Sequence, residues 1–213
     1  RSTAIKRSGS KAFHLAIPDF FGFESFELDR TLLVGASSEL RFHQRMRWAT
    51  VGTRLSAQVS TDGGSSWSSI WNRTGNHSGG NASSNLWDSS WNSVTQSLGS
   101  LAGQLIRIRF CIEHESGSLF PGTEKNLGFY IDDIEVTNSL QLEAATVTAL
   151  ASSATGFTLN ATTAGGALLE GQDYYLQVRP KVGIKWFGFG PPLVVTPSPA
   201  SGFATWISSN FPA

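Results

Sequence analysis

Apolar and polar side chains alternate residue by residue along much of the chain. Over residues 39–48, Leu40, Phe42, Met46 and Trp48 make one face, and Arg41, His43, Arg45 and Arg47 make the other. Over residues 105–113, Ile106, Ile108, Phe110 and Ile112 point one way, and Arg107, Arg109 and Glu113 point the other. A period of two puts successive side chains on opposite sides of a strand. One oily face and one wet face is the signature of antiparallel sheet laid on a core. The same reading predicts strands over 12–17, 26–34, 55–60, 66–71, 93–98, 128–136, 157–161, 174–179 and 193–196. Turn clusters separate them: Asp62-Gly63-Gly64, Ser78-Gly79-Gly80, Ser116-Gly117-Ser118 and Ala164-Gly165-Gly166. No segment sustains a 3.6-residue stripe over three turns, although 19–27 is ambiguous and 202–210 is long enough for one or two helical turns. The class is all-β.

A change in texture falls near 138–144. Before it, strands are long and rich in Trp and Arg; after it, the chain is rich in Ala, Thr and Gly and carries few charges. The expected organisation is a first β-sandwich over 1–139, a small β-sandwich-like domain over 140–199, and a tail or linker over 200–213. The second segment is marginal for independent stability by area arguments. The first residue is Arg1 and there is no signal peptide, so the chain reads as part of a longer polypeptide with neighbouring domains.

Composition narrows the partners. The chain has 213 residues, 40% hydrophobic and only 15% charged, with a formal net charge of zero. Nucleic-acid binders carry strongly basic domains, and membrane-surface binders carry basic clusters; neither fits. No apolar run approaches the ~18 residues of a spanning helix. Fourteen Phe and seven Trp exclude disorder. Abundant Ser, Thr and Gly with scarce Lys suggest a secreted or cell-surface setting. Sequons at Asn72, Asn76, Asn81 and Asn160 are acceptors if the source glycosylates. The single cysteine, Cys111, forbids an internal disulfide and reads as a buried, inert thiol.

Catalytic signatures are missing. His14, His43, His77 and His114 are scattered, with no H-E-x-x-H, no G-x-S-x-G elbow and no phosphate-binding loop. The expectation is no enzyme activity. A hydrolase with an unrecognised carboxylate pair is the least favoured reading, since carboxylate spacing is a property of three dimensions.

The stretch Ser60-Thr61-Asp62-Gly63-Gly64-Ser65-Ser66-Trp67 matches an Asp box, S-x-D-x-G-x-(S/T)-W. Its glycines permit positive φ in a tight turn, Asp62 accepts from turn amides, and Trp67 seals the hairpin on the sheet. The motif occurs once, which suits a structural hairpin and not a propeller that repeats it blade by blade.

Leu40-Arg41-Phe42, then Val59 to Trp67, then Trp91, Leu98 to Gln104 and Ile106 to Phe110, and last Gly128 to Val136, follow one another in an order that resembles MAM-like jelly-roll modules. Such modules occur on secreted bacterial proteins, including immune-inhibitor-type metallopeptidases. The likeness runs from about Ser8 to Asn138. It implies a jelly-roll β-sandwich with an accessory role: adhesion, binding of glycan or matrix, or support of a catalytic neighbour. It also implies a structural Ca²⁺ at the Ile131-Asp132-Asp133-Ile134 segment, although the early acidic element such modules carry has no clear counterpart here. Read without the family, the apolar phase of Phe129 and Ile131 slips by one before Ile134 and Val136, which predicts a β-bulge at Asp132-Asp133. One carboxylate then needs a partner, and Arg, backbone amides and Ca²⁺ are all candidates.

The arginine faces are the candidate ligand site. If the two strands are neighbours in one sheet, Arg41, Arg45, Arg47, Arg107 and Arg109 make a cationic, partly aromatic surface suited to anionic glycan. Otherwise they are solvated and paired with Glu113, Glu115 or Asp132. In the second segment, Leu168 to Arg179 resembles the tyrosine corner of fibronectin type III domains. That resemblance implies a bond from Tyr174 back to upstream backbone, in a domain shortened between Asn160 and Tyr174. Trp186, Phe187 and Phe189 form an aromatic platform or pack on the first domain. The expectation for the whole is a non-catalytic module that binds carbohydrate or extracellular matrix. The alternative is a spacer or adhesion module stiffened by Ca²⁺ beside a secreted hydrolase or protease.

Overall fold

A computed structural model describes residues 1–16, 22–78, 87–116, 126–142, 149–160, 167–178, 180–186 and 193–197. The chain divides into two units, Arg1–Gln141 and Leu142–Ala213. Regular structure among the described residues is β, apart from one 3-10 turn at Gly99–Leu101.

The first unit carries β1 (Phe13–Leu15), β2 (Gly22–Glu27), β3 (Thr31–Met46), β4 (Thr53–Ser60), β5 (Ser68–Thr74), β6 (Asn92–Ser97), β7 (Leu105–His114) and β8 (Phe129–Leu142). They form two layers. One runs β1-β8-β3-β6, and the other runs β2-β7-β4-β5. All the registered pairs are antiparallel. The sixteen-residue β3 joins the layers: it meets β7 only at Leu32 and Leu33, then pairs with β6 from Glu39 to Gln44. Gly35 sits where β3 changes partner. A side chain there would come 2.8 Å from the Asn138 carbonyl oxygen. The Ser38 hydroxyl ties that corner, accepting from the Gly35 amide and donating to the Asn138 carbonyl.

The inward residues of the alternating pattern fill the space between the layers. Leu40, Phe42, Met46, Ile106, Ile108, Phe110, Ile112, Phe129 and Ile131 are buried together. An aromatic chain crosses the core from Phe13 to Phe26, Phe110, Phe42 and Trp71, with ring centroids 4.0 to 5.3 Å apart. Successive members come from alternate layers or neighbouring strands, so these contacts lock one sheet onto the other.

Two expectations need correction. The strand expected over 26–34 is the end of β2 and the start of β3, because the Arg30 amide bonds the Leu28 carbonyl at 2.7 Å in a three-residue turn. Phe26, Leu28, Leu32 and Val34 keep one phase through that turn, so alternation alone does not reveal it. Residues 157–160 form no strand although Leu159 is buried. The second unit holds β9 (Tyr174–Leu176) paired with β12 (Leu193–Val195), and a short hairpin of β10 (Lys181–Val182) and β11 (Lys185–Trp186). The Tyr174 hydroxyl accepts from the Leu169 amide at 2.9 Å.

Candidate functional site

The layers keep the two arginine groups apart. Arg41, Arg45 and Arg47 point away from the core on the β1-β8-β3-β6 side, whereas Arg107 and Arg109 point away from it on the β2-β7-β4-β5 side. The shared cationic surface expected of neighbouring strands does not form, because β3 leaves β7 after Leu33. Arg41 pairs with Glu39 at 2.7 Å. Arg45 donates to the carbonyls of Asp88 and Ser89. Arg47 lies over the Trp87 ring, 5.2 Å from its centroid. Asp88 anchors this corner: it accepts from the Met46 amide and from the Asn92 side chain, and forms a two-bond pair with Arg73. These arginines shape a loop and a strand edge, and Arg41 alone stands well exposed.

On the opposite side, residues of β2, β4 and the β4–β5 hairpin gather round Arg109 of β7. Its Nε donates to Gln58 Oε1 at 2.7 Å, and the Gln58 amide nitrogen in turn donates to the Ser56 hydroxyl. The guanidinium carbon lies 4.4 Å from the Trp67 ring centroid and 5.9 Å from that of Phe23. Phe23 reaches it from β2 and Trp67 from the β4–β5 hairpin, so rings from both flanks of β7 meet at one cation. Phe23 is 60% exposed. Arg107 pairs with Glu27 and donates to the Gly63 carbonyl at 3.2 Å; Arg54 pairs with Glu113, with Glu115 at 3.9 Å.

The hairpin that presents Trp67 is built as its motif requires. Gly63 and Gly64 take φ of 71° and 97°. Asp62 accepts from the Ser66 amide at 2.9 Å and from the hydroxyls of Ser60 and Ser66 at 2.7 Å. The Ser66 amide, then the Ser66 hydroxyl, hold the Asp62 carboxyl down at about 2. Trp67 Nε1 donates to the Gly64 carbonyl at 3.1 Å, which fixes the indole and leaves its π-system for Arg109. Trp67 belongs to the hairpin in the sequence reading, and Phe23, Arg54 and Gln58 were missed there. Phe23 sits in a stretch ambiguous between helix and strand, and no periodicity shows that two distant rings converge on Arg109.

At Asp132-Asp133 the expected slip is present: Asp133 has φ of 49°, and both Ile131 and Ile134 pack on the core. Asp132 Oδ2 accepts from the amides of Arg7, at 2.7 Å, and Ser8, at 3.2 Å; its Oδ1 accepts from the Asp133 amide at 2.9 Å. Asp133 is held by the Ser8 hydroxyl and the Arg7 guanidinium, which lower its pKa in that order. Ca²⁺ takes six to eight oxygen ligands. Here the carboxylate oxygens are committed to N–H and O–H donors, and the cation among them is Arg7, so these residues do not fit a calcium ion. Among the described residues no group of three or more His, Cys, Asp and Glu side chains could hold a metal ion.

Cys111 is buried on β7, and burial pushes its thiol up to about 11, leaving it protonated at neutral pH. His14 stacks flat on Tyr130 with centroids 4.2 Å apart, and burial lowers its pKa. Trp186 lies in β11; its side chain, and all of Phe187, Phe189 and the Asn81 sequon, fall outside the described residues.

No family model matches the chain, and no curated protein does. Among solved structures, Caldicellulosiruptor saccharolyticus CBM27-1 in complex with mannohexaose aligns over 62% of this chain and 78% of that one, with 9% identity and a TM-score of 0.34. A likeness of that size carries no inference about this chain.

Proposed function

We propose that the chain is a non-catalytic accessory module that binds carbohydrate on the outer face of the β2-β7-β4-β5 sheet. The observation that carries this reading is the meeting of Phe23, Arg109 and Trp67 on the outward side of β7, where Phe23 stands exposed. Sugar rings present C–H faces that lie against aromatic rings, and hydroxyl edges that need hydrogen-bond partners fixed in direction. An exposed Phe beside a guanidinium held by Gln58 and Trp67 supplies both, with little side-chain entropy left to lose on binding. In this reading the module works outside the cell or at its surface, as a jelly-roll-like partner of further domains. Glycan or extracellular matrix is what it holds.

Gel retention or calorimetry on a panel of soluble polysaccharides tests the proposal. The native chain should bind at least one polymer. Phe23→Ala should weaken that binding about tenfold or more, or ~1.4 kcal/mol, without moving the melting temperature, because Phe23 is largely exposed. Absence of retention on every polymer overturns the proposal. It would favour the second reading, a spacer or adhesion module. What supports that one is the latch of Arg7 and Ser8 on Asp132-Asp133, which ties the N-terminal segment to β8.

A further inference from the structure

We infer that the glycan taken by this face is a neutral one, an inference that rests on the carbohydrate-binding reading above. The cations of the face are Arg54, Arg107 and Arg109, and the first two have their positive charge answered locally. Arg107 is paired with Glu27, and Arg54 with Glu113 and, more distantly, with Glu115. With Asp62 on the adjoining hairpin, the carboxylates on this side (Glu27, Asp62, Glu113 and Glu115) outnumber its three guanidinium groups among the described residues. A surface with no net positive charge does not focus a field on an approaching polyanion. An acidic chain would instead meet Glu27, Glu113 and Glu115, and would have to break ion pairs to reach Arg54 or Arg107.

Arg109 is the exception that gives the face its polarity. It makes no ion pair; its Nε is spent on Gln58 and its plane is held by the rings. Among the described residues its two terminal nitrogens have no hydrogen-bond partner. They leave a fork of N–H donors beside the two rings for a ligand on this face. One such fork suits the hydroxyl and ring oxygens of an uncharged sugar. Tight capture of a polyanion takes several unpaired cations in a row, because each charge neutralised adds its own increment.

The test is retention of the full chain on neutral polymers (glucan, mannan, xylan) against acidic ones (polygalacturonate, alginate, dextran sulfate). Each is run at about 20 mM and about 500 mM salt, across which the screening length falls steeply. The expected result is retention on a neutral polymer that changes less than twofold with salt, and weaker or no retention on the acidic set. Arg109→Gln should cut neutral binding about tenfold. The double variant Glu27→Gln/Glu113→Gln, which strips the matching carboxylates, should gain retention on acidic polymers that high salt abolishes. Acidic retention by the native chain equal to or above the neutral overturns the inference and leaves the carbohydrate reading intact. Retention on nothing overturns that reading itself.

Discussion

At the scale of the residue, Asp62 shows why some chemistry is legible in a sequence. Its partners, Ser60 and Ser66, lie within a few positions along the chain, so the motif already contains the whole interaction. The folded carboxyl titrates at about 2, against a free aspartate near ~3.9. A folded value below the unfolded one means its contribution is complete above the unfolded value and drains away as pH falls through about 2. Asp62→Ala should cost roughly 1 kcal/mol, as for loss of a side chain that caps backbone amides. The deficit, read from denaturant melts at neutral pH, should shrink below about pH 3. A deficit that stays constant down to pH 2 would mean that the charge does not contribute. Arg109 is the opposite case. Its strand and its outward direction are legible from alternation, but Phe23, Trp67 and Gln58 come from three other strands or turns, and only the sheet order brings them to it.

At the scale of the element, the slip in phase on β8 was legible because Ile131 and Ile134 cannot both face the core without an extra residue between them. What satisfies the carboxylates at that slip was not. The partner segment, Arg7 and Ser8, carries no strand pattern and lies at the far end of the chain from β8. Asp132 is 8% exposed and collects three amide donors. Its replacement by Ala should cost about 2 kcal/mol, the penalty for leaving buried donors unsatisfied. Arg7→Ala should cost less than about 1 kcal/mol, since that ion pair is partly solvated. A chelator should leave the melting temperature of the native chain unchanged. A calcium ion at 100 times its dissociation constant would add ~2.7 kcal/mol, so a drop of several degrees on chelation would show that a metal displaces Arg7 from this cradle.

At the scale of the whole molecule, the alternation of β3 and β7 specifies two faces but not which strands share a layer. The transfer of β3 from β7 to β6 at Gly35 to Ser38 decides that, and it puts the arginines of the two strands on opposite sides of one core. The aromatic chain from Phe13 to Trp71, like the buried cluster around it, lies wholly within Arg1–Gln141. Among the described residues the second unit buries Leu159 and Val195, while Leu169, Val178, Val182 and Ile184 stand exposed. Among the described residues the large buried core therefore lies in the first unit. A chain ended after Gln141 should melt in one cooperative transition. Phe110→Ala removes the ring that touches both Phe26 and Phe42, and should cost roughly 3–5 kcal/mol. Sites that share no partners add to within about 0.5 kcal/mol, so that cost should be the same in the full chain and in the shortened one. A shortened chain that fails to fold, or a Phe110→Ala cost that differs between the two by more than 1 kcal/mol or so, would show that the second unit helps to hold the first together.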